Sequence, residues 1–170
     1  MSNLAAREPL ERAKRLFLEK PAVARKANTT ATAVWRDGLT CDVAGPAAEN
    51  AITDMPEAMG GRGAGSNLGW LLRAGIASCA ATAIAMRAAL QGIALKTLEV
   101  KVDSDSDARG LVGISDVSAA LGNLRMSIRI GADDVDEIQL RELAAWGEAH
   151  SPVGCTLRDR SHVDVDLAIV

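Results

Sequence analysis

Residues 66–91 read SNLGWLLRAGIASCAATAIAMRAALQ. Ser66 or Asn67 offers an N-cap and Gly92 a C-terminal stop, so the alanine-rich run between them predicts one long helix. Apolar side chains fall on nearly every side of it, and no charge interrupts Ala74 to Met86. Such a helix has no polar stripe to offer water and is expected at the centre of the fold, buried by protein. Arg73 and Arg87 bracket the uncharged run well short of the roughly 20 apolar residues that a membrane crossing needs, so no membrane partner is expected. The 170 residues suffice for one well-packed domain but supply few elements to wrap this helix, which predicts that a second subunit helps to cover it.

Upstream, Asp54-Met55-Pro56-Glu57-Ala58-Met59-Gly60-Gly61-Arg62-Gly63-Ala64-Gly65 reads as a loop whose glycines permit backbone angles closed to other residues. Neither G-x-G-x-x-G nor G-x-x-x-x-G-K-[ST] occurs in it, so a phosphate cradle is not expected. Before it, Ala31, Ala33 and Trp35, then Leu39, Cys41 and Val43, recur at every second position around Asp37-Gly38. That pattern predicts a β-hairpin over residues 29–43 with Cys41 on its core face, where a free thiol behaves as a small hydrophobe. Residues 3–19 carry Leu4, Leu10, Ala13, Leu16 and Phe17 at helical spacing. They mark an amphipathic helical extension over residues 1–26, ahead of a domain at 27–170.

Downstream, residues 95–102 and 111–131 predict strands joined by a solvated loop at 103–107. A calcium loop fails there, because Ala108 and Ile114 stand where glycine and glutamate are required. Asp134 and Glu137 open a predicted helix that runs to about His150, Ser151 and Pro152 open a short one, and residues 162–169 predict a closing strand. In that strand His162, Asp164 and Asp166 read as an exposed polar face and not as a metal site. Strands and helices in this order make an α+β chain.

Composition removes further classes. The net charge is -3 and the aromatic residues are only Trp35, Trp70, Trp146 and Phe17, so there is no series of rings for bases to stack on and no nucleic-acid partner is expected. Residues 1–26 carry +4 against -7 for the remainder, and Glu8, Glu11 and Glu19 interrupt the basic run, which reads as a solvated helix face. The opening residues lack a continuous apolar run, so a cytoplasmic protein is expected. Three widely spaced cysteines, Cys41, Cys79 and Cys155, fit neither a disulfide framework nor a zinc site.

Three segments taken together resemble the OsmC/Ohr family of thiol peroxidases. Residues 54–65 resemble the family's D-x-P-x-x-x-G-G-x-x-x-G, Leu71 to Cys79 its L-L-x-A-x-x-x-x-C helix, and Ser151-Pro152-Val153-Gly154-Cys155-Thr156-Leu157 its C-P-V-x-x-T/A-L. The resemblance implies an OsmC-like fold, with mixed or antiparallel sheets packed around the long central helix and two subunits intertwined as a homodimer. It implies reduction of organic hydroperoxides without a cofactor: a Cys79 thiolate attacks the O–O bond, becomes a sulfenic acid, and is rescued by a second thiol. A thiol buried in alanine is inert unless a positive group lies near it. The family's G-R-D-G hairpin is matched by Trp35-Arg36-Asp37-Gly38 in all but its first position, which makes Arg36 the candidate activator.

Two departures weaken the implied chemistry. The family's arginine-pairing glutamate falls on Gly69 and its second cysteine on Ser151. A hydroxyl cannot close a disulfide, so Cys155, one helical turn beyond Ser151, is the candidate resolving thiol, and an external thiol reductant is the alternative. Three functions stay open: a hydroperoxide reductase using Cys79 with an altered resolving partner, a non-catalytic dimer binding a hydrophobic small molecule at its interface pocket, and a structural dimer in which Cys79 only packs.

Overall fold

The computed structural model describes residues 2–114, 116–159 and 162–169. Its elements are α1 (Arg7–Glu19), β1 (Thr32–Asp37), β2 (Thr40–Ala44), β3 (Asn50–Thr53), α2 (Leu68–Gln91), β4 (Leu95–Asp105), α3 (Ala108–Leu111), β5 (Gly122–Ala132), α4 (Glu137–Ala149) and α5 (Pro152–Arg158). The architecture is α+β. The chain divides into two compact units, one made of residues 1–7, 76–101 and 127–170, the other of residues 8–75 and 102–126.

In the first unit Ile84, Ala88, Ile93 and Leu143 form a buried cluster, packed around by Leu98, Val100, Ile128 and Ile130. These strand residues alternate along β4 and β5, so one face of the sheet turns to the cluster. The other face holds charges, among them the Arg129 to Glu99 ion pair at 3.1 Å. Lys96 of β4 reaches Asp133, just past the end of β5. The partner numbers run in opposite directions, so β4 and β5 are antiparallel. At the end of α2 the N–H of Gly92 donates to Ala89 O and that of Ile93 to Ala88 O, which satisfies the last carbonyls of the helix. Asn3 ties the start of the chain to this unit, donating to Ile93 O and accepting from the Leu95 N–H.

The second unit holds the sheet β1-β2-β3, antiparallel throughout, with Trp35 opposite Cys41 and Cys41 opposite Thr53. A single parallel bridge joins Thr53 to Ser66. Asp54 organises the glycine-rich loop that follows. Its carboxylate is buried and accepts from the N–H groups of Met55 at 2.8 Å and of Arg62 and Ala64 at 3.1 Å. Gly61 is required here, since a β-carbon at that position would lie 1.8 Å from Met55 O. The Ala64 N–H above all, then those of Arg62 and Met55 and the Thr40 hydroxyl, hold the Asp54 carboxyl below its ordinary range, against the opposing pull of burial.

Because that carboxyl titrates lower in the folded state, its contribution to stability is complete above the ordinary carboxylate pKa of about 3.9 and is lost as pH falls through the folded value. Asp54→Asn is therefore expected to lower the melting temperature at pH 7 by roughly 5–10 °C, with the gap to wild type closing below about pH 4. Thermal melts of both proteins from pH 3 to 8 check this, and a gap of constant size would contradict it.

Several sequence expectations change. The described residues of 111–121 are not strand: Asp107 caps α3 by accepting from the Arg109 N–H, and β5 begins only at Gly122. Residues 103–105 belong to β4 and not to a loop. The cap of α4 is Asp136, which accepts from Gln139 N; Asp134 instead takes the left-handed conformation at φ +55°. Residues 162–169 form no strand and lie exposed. Cys41 is only half-buried, because its sheet is poorly covered, with Val34 and Trp35 60% and 67% exposed. The sequence does not mark β3, because its four residues show no period.

Candidate functional site

Cys79 lies near the middle of α2. Asn67 starts this helix, its Oδ1 accepting from the N–H groups of Gly69 and Trp70. Ile76, Ala80, Ala83, Ile84 and Ala88 recur at helical spacing and are buried, so they form the stripe that faces the core of the first unit. Cys79 sits one position ahead of Ala80 and is half-buried, at the edge of that stripe.

That edge borders a cavity of about 440 Å³. Cys79, Ala83, Met86, Arg87 and Leu90 contribute one wall from α2, and Trp146, His150 and Pro152 line the rest. The second group is brought there by α4 and α5. Gly147 lets α4 press onto α2, because a β-carbon at Gly147 would lie 2.8 Å from Ile84 Cα and 2.2 Å from its Cγ1. Ser151 then caps α5 as expected, accepting from Gly154 N at 3.4 Å, and it is 1% exposed.

Ser78 and Thr82 also line the cavity, and two further polar groups, His150 and Arg87, lie against Trp146. His150 stacks on the indole at 3.9 Å and 11°, and its Nδ1 lies 2.7 Å from Trp146 O. A carbonyl can only accept, so Nδ1 bears the proton and Nε2 is an acceptor whenever the ring is neutral. The Arg87 guanidinium lies 4.8 Å from the Trp146 ring centroid. The sequence marks Arg87 only as the end of the uncharged run and Trp146 only as one of few aromatics, and gives neither a site role, although an arginine inside an alanine helix is a readable signal.

Cys155 belongs to α5, and its sulfur is engaged elsewhere. It donates to Ala149 O at 3.2 Å and receives the Arg158 Nη2–H at 3.3 Å. Arg158 is itself held by Glu148, through an ion pair and a 3.2 Å bond to Glu148 O. Cys155 thus has a guanidinium within hydrogen-bond reach of its sulfur.

Arg36 lies in the second unit, at the point where the β1–β2 register shifts between Trp35 and Asp37. Such a bulge re-aims a side chain. The guanidinium grips Asp42 across the hairpin, Nε donating to Oδ2 at 2.8 Å and Nη2 to Oδ1, and this pairing with Asp42 raises its pKa further. The sequence suggested that Arg36 lacks a carboxylate because Gly69 replaces the family's glutamate. The carboxylate comes instead from Asp42. Asp37 in turn pairs with Arg62, which also donates to Thr40 Oγ1 at 3.3 Å.

The OsmC-like protein family model matches residues 62–167. Among solved structures, an OsmC-like protein from Mycoplasma pneumoniae is 16% identical with a TM-score of 0.65, over 79% of this chain and 89% of that one. An organic hydroperoxide resistance protein from Legionella pneumophila is 21% identical with a TM-score of 0.58, over 79% and 91%. A Vibrio cholerae protein crystallised with captopril in one of its active sites is 23% identical with a TM-score of 0.52, over 79% and 86%. No curated protein sequence matches significantly. The likeness to these structures is one of fold, and within it α2, the one helix among the described residues long and apolar enough to cross a membrane, is the core helix. With a family model spanning more than half its length, the chain belongs to the OsmC-like protein family.

Proposed function

We propose that this protein reduces organic hydroperoxides with Cys79 as the nucleophile, acting as a homodimer in the thiol-rich cytoplasm. The observation that supports it most is the position of Cys79 on the wall of a largely apolar cavity, where an alkyl hydroperoxide can lie against the sulfur. In the reaction the Cys79 thiolate attacks the outer peroxide oxygen, the O–O bond breaks, the alcohol leaves after taking up a proton, and sulfur is oxidised to the sulfenic acid. A thiol then attacks that sulfur and expels water, giving a disulfide, and a further thiol reduces this to return Cys79. An external thiol performs these steps, with Cys155, whose sulfur accepts from Arg158, as the internal candidate. Arg36 is assigned the activating charge, oriented by Asp42.

The dimer reading is supported by α2 itself. Leu68 and Trp70 are 58% and 52% exposed in the single chain, which leaves apolar surface that a second copy can bury. Light scattering at micromolar concentration is expected to return twice the 17.7 kDa of the chain. A folded monomer would remove this part of the proposal.

The activity is tested by following cumene hydroperoxide in the presence of a dithiol, with dimedone trapping and peptide mapping of the sulfenic acid. Consumption with the label on Cys79 is the expected result, and labelling mainly at Cys41 would contradict it. Arg36→Met is expected to slow consumption by roughly 10- to 100-fold while the melting temperature stays within a few degrees. Ser151 gives weight to a second reading, a binding protein without turnover, since a buried capping hydroxyl stands where the family has its second thiol. Under that reading no peroxide is consumed, yet mass spectrometry finds an apolar ligand carried through purification.

A further inference from the structure

We infer that Arg87 makes the Cys79 cavity a site for an apolar molecule that ends in a carboxylate. This rests on reading that cavity as the ligand site of Cys79 and adds the chemical class that enters it. Arg87 Nε is buried and has no hydrogen-bond partner among the described residues. The group beneath the guanidinium is the face of Trp146, which favours a cation but offers no acceptor for its N–H groups. No ion pair to Arg87 is found among the described residues, whereas Arg36, Arg62, Arg125, Arg129 and Arg158 each grip a carboxylate. A partly buried guanidinium without a counter-charge is costly, so the arrangement is complete only when an acceptor arrives.

The rest of the cavity says what else the molecule carries. Ala83, Met86 and Leu90 line it beside Arg87, so the body that accompanies the acceptor is apolar. A guanidinium is a planar fork that matches the two oxygens of a carboxylate, and one guanidinium balances one negative charge. Cys79 lies eight residues before Arg87 on the same helix, on the order of 12 Å along its axis at 1.5 Å per residue, so a ligand held at Arg87 reaches the thiol with its apolar body and not with its charge.

Isothermal titration of the reduced full-length protein with decanoate and with decanol isolates the charge, since the two share one chain. Decanoate is expected to bind at least about 10-fold more tightly than decanol and to shield Cys79 from iodoacetamide. Arg87→Met should abolish the preference while decanol still binds, and Arg87→Lys should keep part of the preference. Equal binding of the two probes, binding of neither, or an Arg87→Met protein that still prefers decanoate would overturn the inference. If Arg87→Met does not fold, the wild-type comparison, the Cys79 protection and the Arg87→Lys protein decide the matter. Cumene hydroperoxide carries no charge, so its consumption reports the reductase reading separately. Decanoate binding without peroxide consumption would defeat that reading and keep this one, and consumption with no carboxylate preference would do the reverse.

Discussion

Replacing Cys79 with serine is expected to bring hydroperoxide consumption down roughly a thousandfold or more, to the background set by free thiols in solution. The expected loss is large because the sulfur takes both roles in the first step. It supplies the electron pair that breaks the O–O bond, and it is the atom that is oxidised. A serine hydroxyl is not ionised near pH 7 and forms no counterpart of a sulfenic acid. The substitution is otherwise gentle, since Cys79 is half-buried beside a cavity and the replacement is smaller. The Cys79→Ser melting temperature should stay within a few degrees of wild type, which separates lost chemistry from lost fold. Cys155→Ser is the companion experiment. If an external thiol resolves Cys79, this variant keeps its steady-state rate with the dithiol present. A rate that falls as far as in Cys79→Ser would instead make Cys155 part of the cycle. Full activity in Cys79→Ser would end the proposal.

The second large effect is expected at Gly147. Gly147→Leu should destabilise the protein by about 3 kcal/mol, which for a chain of this length lowers the melting temperature by roughly 6–12 °C. The cause is the close approach of α4 to α2. A β-carbon at position 147 already lies within 2.8 Å of both Ile84 Cα and Ile84 N, and neither backbone atom can rotate away. Gly147→Ala should therefore be costly too, by about 1–2 kcal/mol. Ile84→Ala offers a control, because it removes Cγ1 at 2.2 Å but leaves the backbone in place. The double variant Gly147→Ala with Ile84→Ala should thus recover only part of the coupling in a double-mutant cycle. Function should follow the packing. Trp146 and His150 flank Gly147 and line the Cys79 cavity, so pushing α4 outward moves that wall away from the thiol. Chemical denaturation of the four proteins measures the first effect and decanoate titration the second. A Gly147→Leu protein as stable as wild type would show that the two helices separate freely.

The Asp42 pairing changes what the departures from the family pattern mean. A glutamate introduced at Gly69 would project beside Arg73, whose Nη1 lies 3.4 Å from the β-carbon position, and Arg36 is already held without it. Its gain in hydroperoxide consumption should be less than about twofold. Ser151→Cys remains the more informative change, since it places a thiol next to Pro152, which lines the cavity, at the cost of a good N-cap.

What the sequence by itself determined was set by short-range chemistry. Asn67 and Gly92 bound α2 because a side-chain oxygen and a left-handed residue satisfy the free ends of a helix a few positions away. Asp37-Gly38 turned the hairpin, with Gly38 at φ +52°, and Ser151-Pro152 opened α5 for similarly local reasons. The unbroken apolar run around Cys79 announced the core helix because periodicity alone reports which faces can meet water. Tertiary structure decided everything that joins distant positions. Asp54 gathers N–H groups up to ten residues on, and Asp42 meets Arg36 only through the register of a bulged hairpin. Gly147 matters only because Ile84 passes close to it, and Arg87 only because Trp146 lies under it and, among the described residues, no carboxylate pairs with it. These contacts depend on the crossing of helices and the pairing of strands, which no local window of residues encodes. The thiol could therefore be read from the chain, while its cavity and the cation in that cavity required the fold.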